Sequence, residues 1–378
     1  MKKIRVLMVT GASLPTFDAV VHYTSNLLHE LRSLRPQWEW IWLCRRARWY
    51  HCPIVTRDGV RLVRPNHTWS ARDIWLAAGA ARYLSPDIVH IQEQIHSFHE
   101  TDAAVAIANS TQARVVTTLH EFHVELPSVR HTRDTVKRSD YVIANDSRTW
   151  DRCREQTGRT PDARGWSPAN IMPVEGAADL ASSPCLMTTF GVMNRIKSFE
   201  PVFQALTDLR TSRSDLRWQL VGPMQHDLER SYRQLLAAQW VTFTGKLGRD
   251  AVRSALSRTQ VMILPYSDGA STRRTSLQTS WAFGLPIVTT APDADEPAII
   301  DGYNCLLVRS GKPQEWKEAI GRLLGEPELA KRLRQGARAT AQKFSWGNLA
   351  KLNVEAYDSV LRRDLFHDSR GTATAVRQ

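Results

Sequence analysis

No run of apolar residues in this chain approaches the roughly 18 needed to span a bilayer, which excludes a transmembrane helix. No Cys-x-x-Cys pair occurs, and the five cysteines (Cys44, Cys52, Cys153, Cys185 and Cys305) are odd in number and scattered. Both facts argue against a disulfide framework and against zinc, and His51 with Cys52 finds no second ligand pair of suitable spacing. Internal repeats, low-complexity tracts and a concentrated basic run are also missing. The start, Met1–Thr10, has too short an apolar stretch for a signal peptide and leads directly into a loop and helix. It reads as a first core strand, and the expected location is cytoplasmic, with the inner membrane face as an alternative.

What is present is globular. At 378 residues, with 42% hydrophobic and 23% charged, the chain is expected to fold as two domains with substantial cores. Fifty Lys plus Arg against 38 acids give a net charge of +12, which favours acidic partners such as nucleotides, anionic membranes or nucleic acid. The excess is spread along the chain, so a basic, solvated surface accounts for it equally well.

Two halves each alternate short apolar strands with amphipathic helices, the pattern of parallel α/β domains. The first half places strands at Ile4–Thr10, Trp38–Cys44, Ile88–Gln92, Val115–Leu119 and Tyr141–Ala144, with a helix at Val20–Ser33. Trp38, Trp40 and Trp42 alternate at period two, as expected of one packed strand face. The second half places strands at Cys185–Gly191, Trp218–Val221, Val241–Thr244, Val261–Pro265, Ile287–Thr290 and Cys305–Val308. Its helices fall at Phe199–Leu209, Leu228–Ala238, Arg249–Ser257, Ser276–Phe283 and Pro313–Leu324, and a last helix at Ser345–Arg363. The expected division is 1–165, a linker at 166–184, a second domain at 185–344, a returning helix at 345–365 and a flexible tail at 366–378.

The segment Ile263–Thr290 carries the most chemistry. It reads as a buried strand, a small-residue loop, a helix and a second strand after Gly284-Leu285-Pro286. A loop feeding a helix N-terminus offers free backbone N–H groups, and with Arg273 and Arg274 beside them the spot suits a phosphate. Upstream, Gly191 permits a tight turn after a strand, and Arg195 and Lys197 follow it.

These segments, with Val241–Asp250, Thr117–His123 and the first loop Thr10–Tyr23, resemble the GT-B glycosyltransferases, particularly the retaining family-4 group. The resemblance implies two facing Rossmann-like domains with ligands in the cleft between them, the first on the acceptor side and the second binding a nucleotide sugar. It implies that Gly191, Arg195 and Lys197 hold the donor diphosphate, that Gly245, Lys246 and Leu247 contact the base, and that Ser271, Arg273, Arg274, Thr275 and Thr279 bind the remainder of the donor. His120 takes the place of the strand-end histidine beside the reacting sugar, whereas His90 corresponds to packing and loop support. Asp18 reads as a helix N-cap, or else as an acceptor contact or base.

One departure matters. The family's Glu-x7-Glu pair falls on Ser271 and Thr279, so both carboxylates are missing, with Asp268 the nearest substitute. The resemblance therefore implies a metal-independent, retaining transferase using a UDP or GDP sugar. The acceptor is a glycan or lipid-linked glycan, with a modified DNA base as an alternative, and peripheral membrane association fits the charge. A nucleotide-sugar-binding protein without activity is a second reading, and a sugar-nucleotide epimerase a third.

Overall fold

The computed structural model describes residues 3–12, 18–46, 53–174, 185–226, 228–309 and 312–371. His51 and Cys52, which the sequence argues against as metal ligands, and residues 175–184 of the expected linker lie outside them. The chain divides into two compact units: one runs to Trp166 and resumes at Trp346, and the other is Ser167–Ser345.

The first unit contains β1 (Arg5–Thr10), α1 (Ala19–Leu34), β2 (Glu39–Cys44), β3 (Ile54–Arg57), β4 (Val60–Val63), α2 (Ala71–Leu84), β5 (Ile88–Glu93), α3 (Ala103–Asn109), β6 (Arg114–Leu119), α4 (Val129–Arg138), β7 (Tyr141–Ala144), α5 (Ser147–Thr157) and β8 (Ala163–Arg164). The second contains β9 (Leu186–Phe190), α6 (Glu200–Arg210), β10 (Arg217–Val221), α7 (Leu228–Ser231), α8 (Arg233–Ala237), β11 (Val241–Phe243), α9 (Arg249–Ser257), β12 (Val261–Leu264), α10 (Thr275–Ala282), β13 (Ile287–Thr290), β14 (Leu306–Val308), α11 (Pro313–Gly325) and α12 (Pro327–Lys343). The last helix, α13 (Trp346–Gly371), belongs to the first unit and packs on α1.

The first sheet is ordered β3-β4-β2-β1-β5-β6-β7-β8 and is parallel except for the β3–β4 hairpin. The second is parallel throughout, ordered β11-β10-β9-β12-β13-β14. Parallel sheets are covered on both faces, so their strands are continuously apolar rather than alternating. In β1, Val6 and Met8 join the core under α1 and α13, while Leu7 and Val9 join the core under α2 and α3. Trp38, Trp40 and Trp42 all enter the former core, although Trp38 precedes the strand.

Both sheets reverse their winding direction at one place. Consecutive strands lie to one side of β1, and β5 lies to the other; in the second sheet β10 and β12 flank β9 in the same way. Loops that leave the carboxyl ends of such strands diverge and open a crevice, the place where doubly wound sheets bind ligands. The fold class expected from the sequence is thus the one found. The expected helix Leu228–Ala238 is instead two short pieces, α7 and α8, and the β3–β4 hairpin and α12 are additional elements.

Candidate functional site

In the second unit the crevice lies between the loops after β9 and β12. The β9 loop begins at Gly191, whose φ of 112° lies in the region that favours glycine. Gly222, after β10, approaches so closely that a Cβ there would stand 2.1 Å from the Gly191 carbonyl oxygen. Gly245, with φ of 66°, bridges to Gly222 and so belongs to the same strand-end layer. The β9 loop is also tied to the end of β12: Ser198 N–H donates to the Pro265 carbonyl (2.8 Å), and Ser267 N–H donates to that of Ile196 (2.7 Å).

This pairing buries Lys197. It is 6% exposed, and its Nζ lies 5.3 Å from the centroid of the Tyr266 ring. The Arg274 guanidinium lies 5.0 Å from the same ring centre. Burial, with Arg274 second, pushes the Lys197 ammonium down to about 7. Tyr266 shares a 2.6 Å hydrogen bond with the Ser276 hydroxyl, and burial raises its phenol to about 12. Ser276 stands in the first turn of α10, whose N-cap residue, Arg274, makes no side-chain cap. The first turn therefore has no side-chain acceptor from its cap for its N–H groups.

Asp268 is the acid of this cluster. Its Oδ2 accepts from Arg274 and lies 3.5 Å from Arg273. Gly269 has φ of 79°, and a Cβ there would meet Asp293 N at 2.6 Å. The Gln278 amide donates to the Thr272 carbonyl (2.9 Å), and the Thr272 hydroxyl donates to Glu296 (3.0 Å), so the loop's path is fixed from inside. Ser271 is buried, and its hydroxyl has no partner among the described residues.

The residues expected to bind the donor therefore separate into groups. Gly191, Lys197, Arg273 and Arg274 meet around Tyr266, Ser276 and Asp268, and Gly245 joins them through Gly222. Arg195 and Lys246 are exposed, and Leu247 packs partly into the core. Thr275 is exposed at the first position of α10, and Thr279 is buried within it. Tyr266 and Ser276 carried no expected role. Tyr266 sits two residues past a strand end and Ser276 at a helix start, the signal that could have found both.

In the first unit, His120 follows β6 and is 9% exposed. Its Nε2–H donates to Gln92 Oε1 (2.9 Å), and its Nδ1 accepts from the Asn145 amide (3.0 Å). The Gln92 amide donates onward to His90 Nε2 (3.1 Å), which also takes the Thr118 hydroxyl (2.8 Å), and His90 Nδ1–H donates to the Tyr357 hydroxyl on α13 (2.6 Å). Burial holds His120 down to about 4 and His90 to about 3, so both rings are neutral near pH 7. Tyr23 packs edge-on against His120 at 4.7 Å and against Trp346 at 5.3 Å. His90 is fully buried.

The loops at the β1/β5 switch point are joined as well. A Cβ on Gly11 would stand 2.1 Å from the Ser97 carbonyl oxygen. Asp18 caps α1 by accepting from Val20 N (2.8 Å) and Val21 N (3.1 Å), and its other oxygen accepts from the Ser97 hydroxyl (2.9 Å). The four described cysteines are buried, and among the described residues no group of three acids, histidines or cysteines could hold a metal ion.

Residues 184–326 match the family model for glycosyl transferases group 1. The chain as a whole has the GT-B fold. A D-inositol 3-phosphate glycosyltransferase of Corynebacterium urealyticum is 35% identical over 79 residues, 21% of this chain and 19% of that one. One from Streptomyces coelicolor is 21% identical over 322 residues, 79% of this chain and 68% of that one. The chain thus spans about a fifth of the first of these relatives. Sucrose-phosphate synthase from Thermosynechococcus elongatus superposes with a TM-score of 0.75 at 14% identity, over 96% of this chain and 100% of that one. Anabaena HepE, in complex with UDP and glucose, gives 0.71 at 14% identity, over 94% and 100%.

Proposed function

We propose that this GT-B chain transfers a sugar, with retention, from a nucleoside diphosphate sugar to a glycan or lipid-linked acceptor. The observation that carries the reading is the buried Lys197 beside Arg274, under a glycine turn and at an α10 N-terminus without a side-chain cap. Burying an ammonium next to a guanidinium is costly unless an anion is meant to arrive. A diphosphate supplies that anion. Lys197 and Arg274 then neutralise the charge that grows on the leaving phosphate as the glycosidic bond breaks, and α10 N–H groups add fixed dipoles.

On the resemblance to the retaining family-4 group, the leaving phosphate itself takes the acceptor proton on the same face of the sugar. Ser271, buried with its hydroxyl unpartnered, is assigned to a donor hydroxyl. His120, neutral and held by two amides, is assigned to orienting the reacting sugar through its ring edge. HepE has structures with UDP and with UDP-glucose, which supports uridine as the base and favours a UDP sugar over a GDP sugar. The missing glutamates favour one competing reading, a nucleotide-sugar-binding protein without turnover.

Thermal shift with UDP, GDP and their glucose, galactose, mannose and N-acetylglucosamine conjugates tests the binding half, since a ligand selective for the native state raises its melting point. A rise with uridine ligands is expected, and no rise with any of the panel overturns the proposal. Slow hydrolysis of the stabilising conjugate separates the transferase from the silent binder.

A further inference from the structure

A groove of about 290 Å³ runs between α1 and the β2–β4–β3 edge of the first sheet, wholly within the first unit. Its floor is apolar: Leu28 comes from α1, Trp42 from β2, and Val60 and Leu62 from β4. The Trp42 indole N–H donates to the Thr10 hydroxyl (2.8 Å), which fixes the ring. In size the groove is a small-molecule site, at the low end of the roughly 300–1,000 Å³ that such sites occupy.

The walls are cationic. Arg32 of α1, Arg57 of β3 and Arg64 just past β4 line the groove, and the one acid among its described lining residues is Asp58. Arg57 and Asp58 are exposed neighbours on the hairpin, 3.6 Å apart, and largely offset each other. Arg32 is partly buried, and no hydrogen bond or ion pair ties its guanidinium to another described residue. The hairpin turn bounds it on one side: Gly59 has φ of 69°, and a Cβ there would collide with the Arg32 guanidinium. Arg64 is only 2% exposed. A guanidinium drawn out of water over an apolar floor is favourable when an anion arrives to meet it.

We propose that this groove binds a small phosphate monoester with an apolar body, the phosphate meeting Arg32 and Arg64 and the body lying on Trp42, Leu28 and Leu62. Guanidinium forks match phosphate oxygens in pairs, and a monoester near neutral pH carries close to two negative charges, which suits two arginines better than one carboxylate does. The groove goes beyond the proposed transfer reaction and does not rest on it, since Lys197 and Arg274 belong to the second unit. Phenyl phosphate, titrated calorimetrically into the full chain at pH 7.5, is the probe. Inorganic phosphate lacks the apolar body and benzoate the second charge, so each is expected to bind about tenfold more weakly or worse.

Arg32→Gln is expected to weaken phenyl phosphate binding by about tenfold or more, with part of the loss restored in Arg32→Lys. Asp58→Asn removes the one acid of the rim and is expected to tighten binding by about twofold. Asp58 has φ of 48°, a conformation asparagine takes readily, so this variant keeps the fold whatever Arg32→Gln does to it. Lys197→Met separates the two anion sites and is expected to leave phenyl phosphate affinity unchanged. The proposal is overturned if phenyl phosphate does not bind, if benzoate binds as tightly, or if Arg32→Gln and Asp58→Asn both leave its affinity unchanged. Binding lost in Lys197→Met alone would assign the phosphate to the second unit and overturn it too.

Discussion

Lys197 and Arg274 lie over one buried ring, the ammonium 5.3 Å and the guanidinium 5.0 Å from the centre of Tyr266. Each cation gains from the ring's negative face, and each raises the other's cost of being charged. The protonation state of Lys197 therefore responds to any charge that arrives beside the ring.

The first prediction follows from Lys197 standing at about 7 instead of its ordinary 10.5. A diphosphate favours the charged form, so at pH 8 binding takes up a proton. Calorimetry in buffers of different ionisation enthalpy reads that uptake directly. Affinity is expected to fall above pH 7, by up to about tenfold per pH unit, and Lys197→Met removes both effects. A pH-independent affinity in the wild type would contradict the assignment.

Stability should respond to two buried groups in opposite senses. Glu93 is 1% exposed, and burial raises its carboxyl to about 7 against the Thr132 hydroxyl that donates to it. Between 4.5 and 7 the folded state holds a proton the unfolded chain has lost, so Glu93 makes stability fall as pH rises. Lys197 acts from 7 to 10.5, where the unfolded chain holds the extra proton and stability recovers as pH rises. Melting curves across pH should flatten on the acid side in Glu93→Gln and on the alkaline side in Lys197→Met.

Asp268 is the resident counter-ion of Arg273 and Arg274. On the proposed function, a donor phosphate would compete with it for the same guanidinia. Asp268→Asn is expected to tighten nucleoside diphosphate binding by roughly threefold to tenfold, the scale of one part-buried charge pair. Weaker binding of UDP itself would show instead that Asp268 holds the arginines in their working positions.

His120 is expected to titrate near 4 and to keep its proton on Nε2 above that pH, readable from the nitrogen chemical shifts of its ring. His120→Ala should lower turnover while leaving nucleotide affinity near wild type, and normal turnover would leave His120 a packing residue. Tyr357→Phe strands the His90 Nδ1–H in the core, at a cost of about 1–3 kcal/mol in unfolding free energy.

Much of the fold was legible because parallel strands are continuous apolar runs, and β7, β13 and α9 fall where periodicity puts them. The β3–β4 hairpin was not, since Ile54–Arg57 is a largely exposed edge strand with no apolar face to read. Helix α12 carries a long polar surface that masks its buried stripe of Leu329, Leu333 and Ala337. In the candidate site, Gly191, Lys197, Arg273 and Arg274 lie together, and their places after a strand and before a helix are legible in the sequence. Tyr266, Asn145 and Gln92 are not, because their roles come from partners 10 to 28 residues away, and no local pattern encodes those distances.

The most direct measurement is isothermal titration of UDP into wild type and Lys197→Met at pH 6.5. If the buried ammonium is a diphosphate ligand, the variant folds at least as stably and loses about 1–3 kcal/mol of binding free energy, the value of a charge-assisted hydrogen bond. Equal affinity in the two proteins would contradict the account.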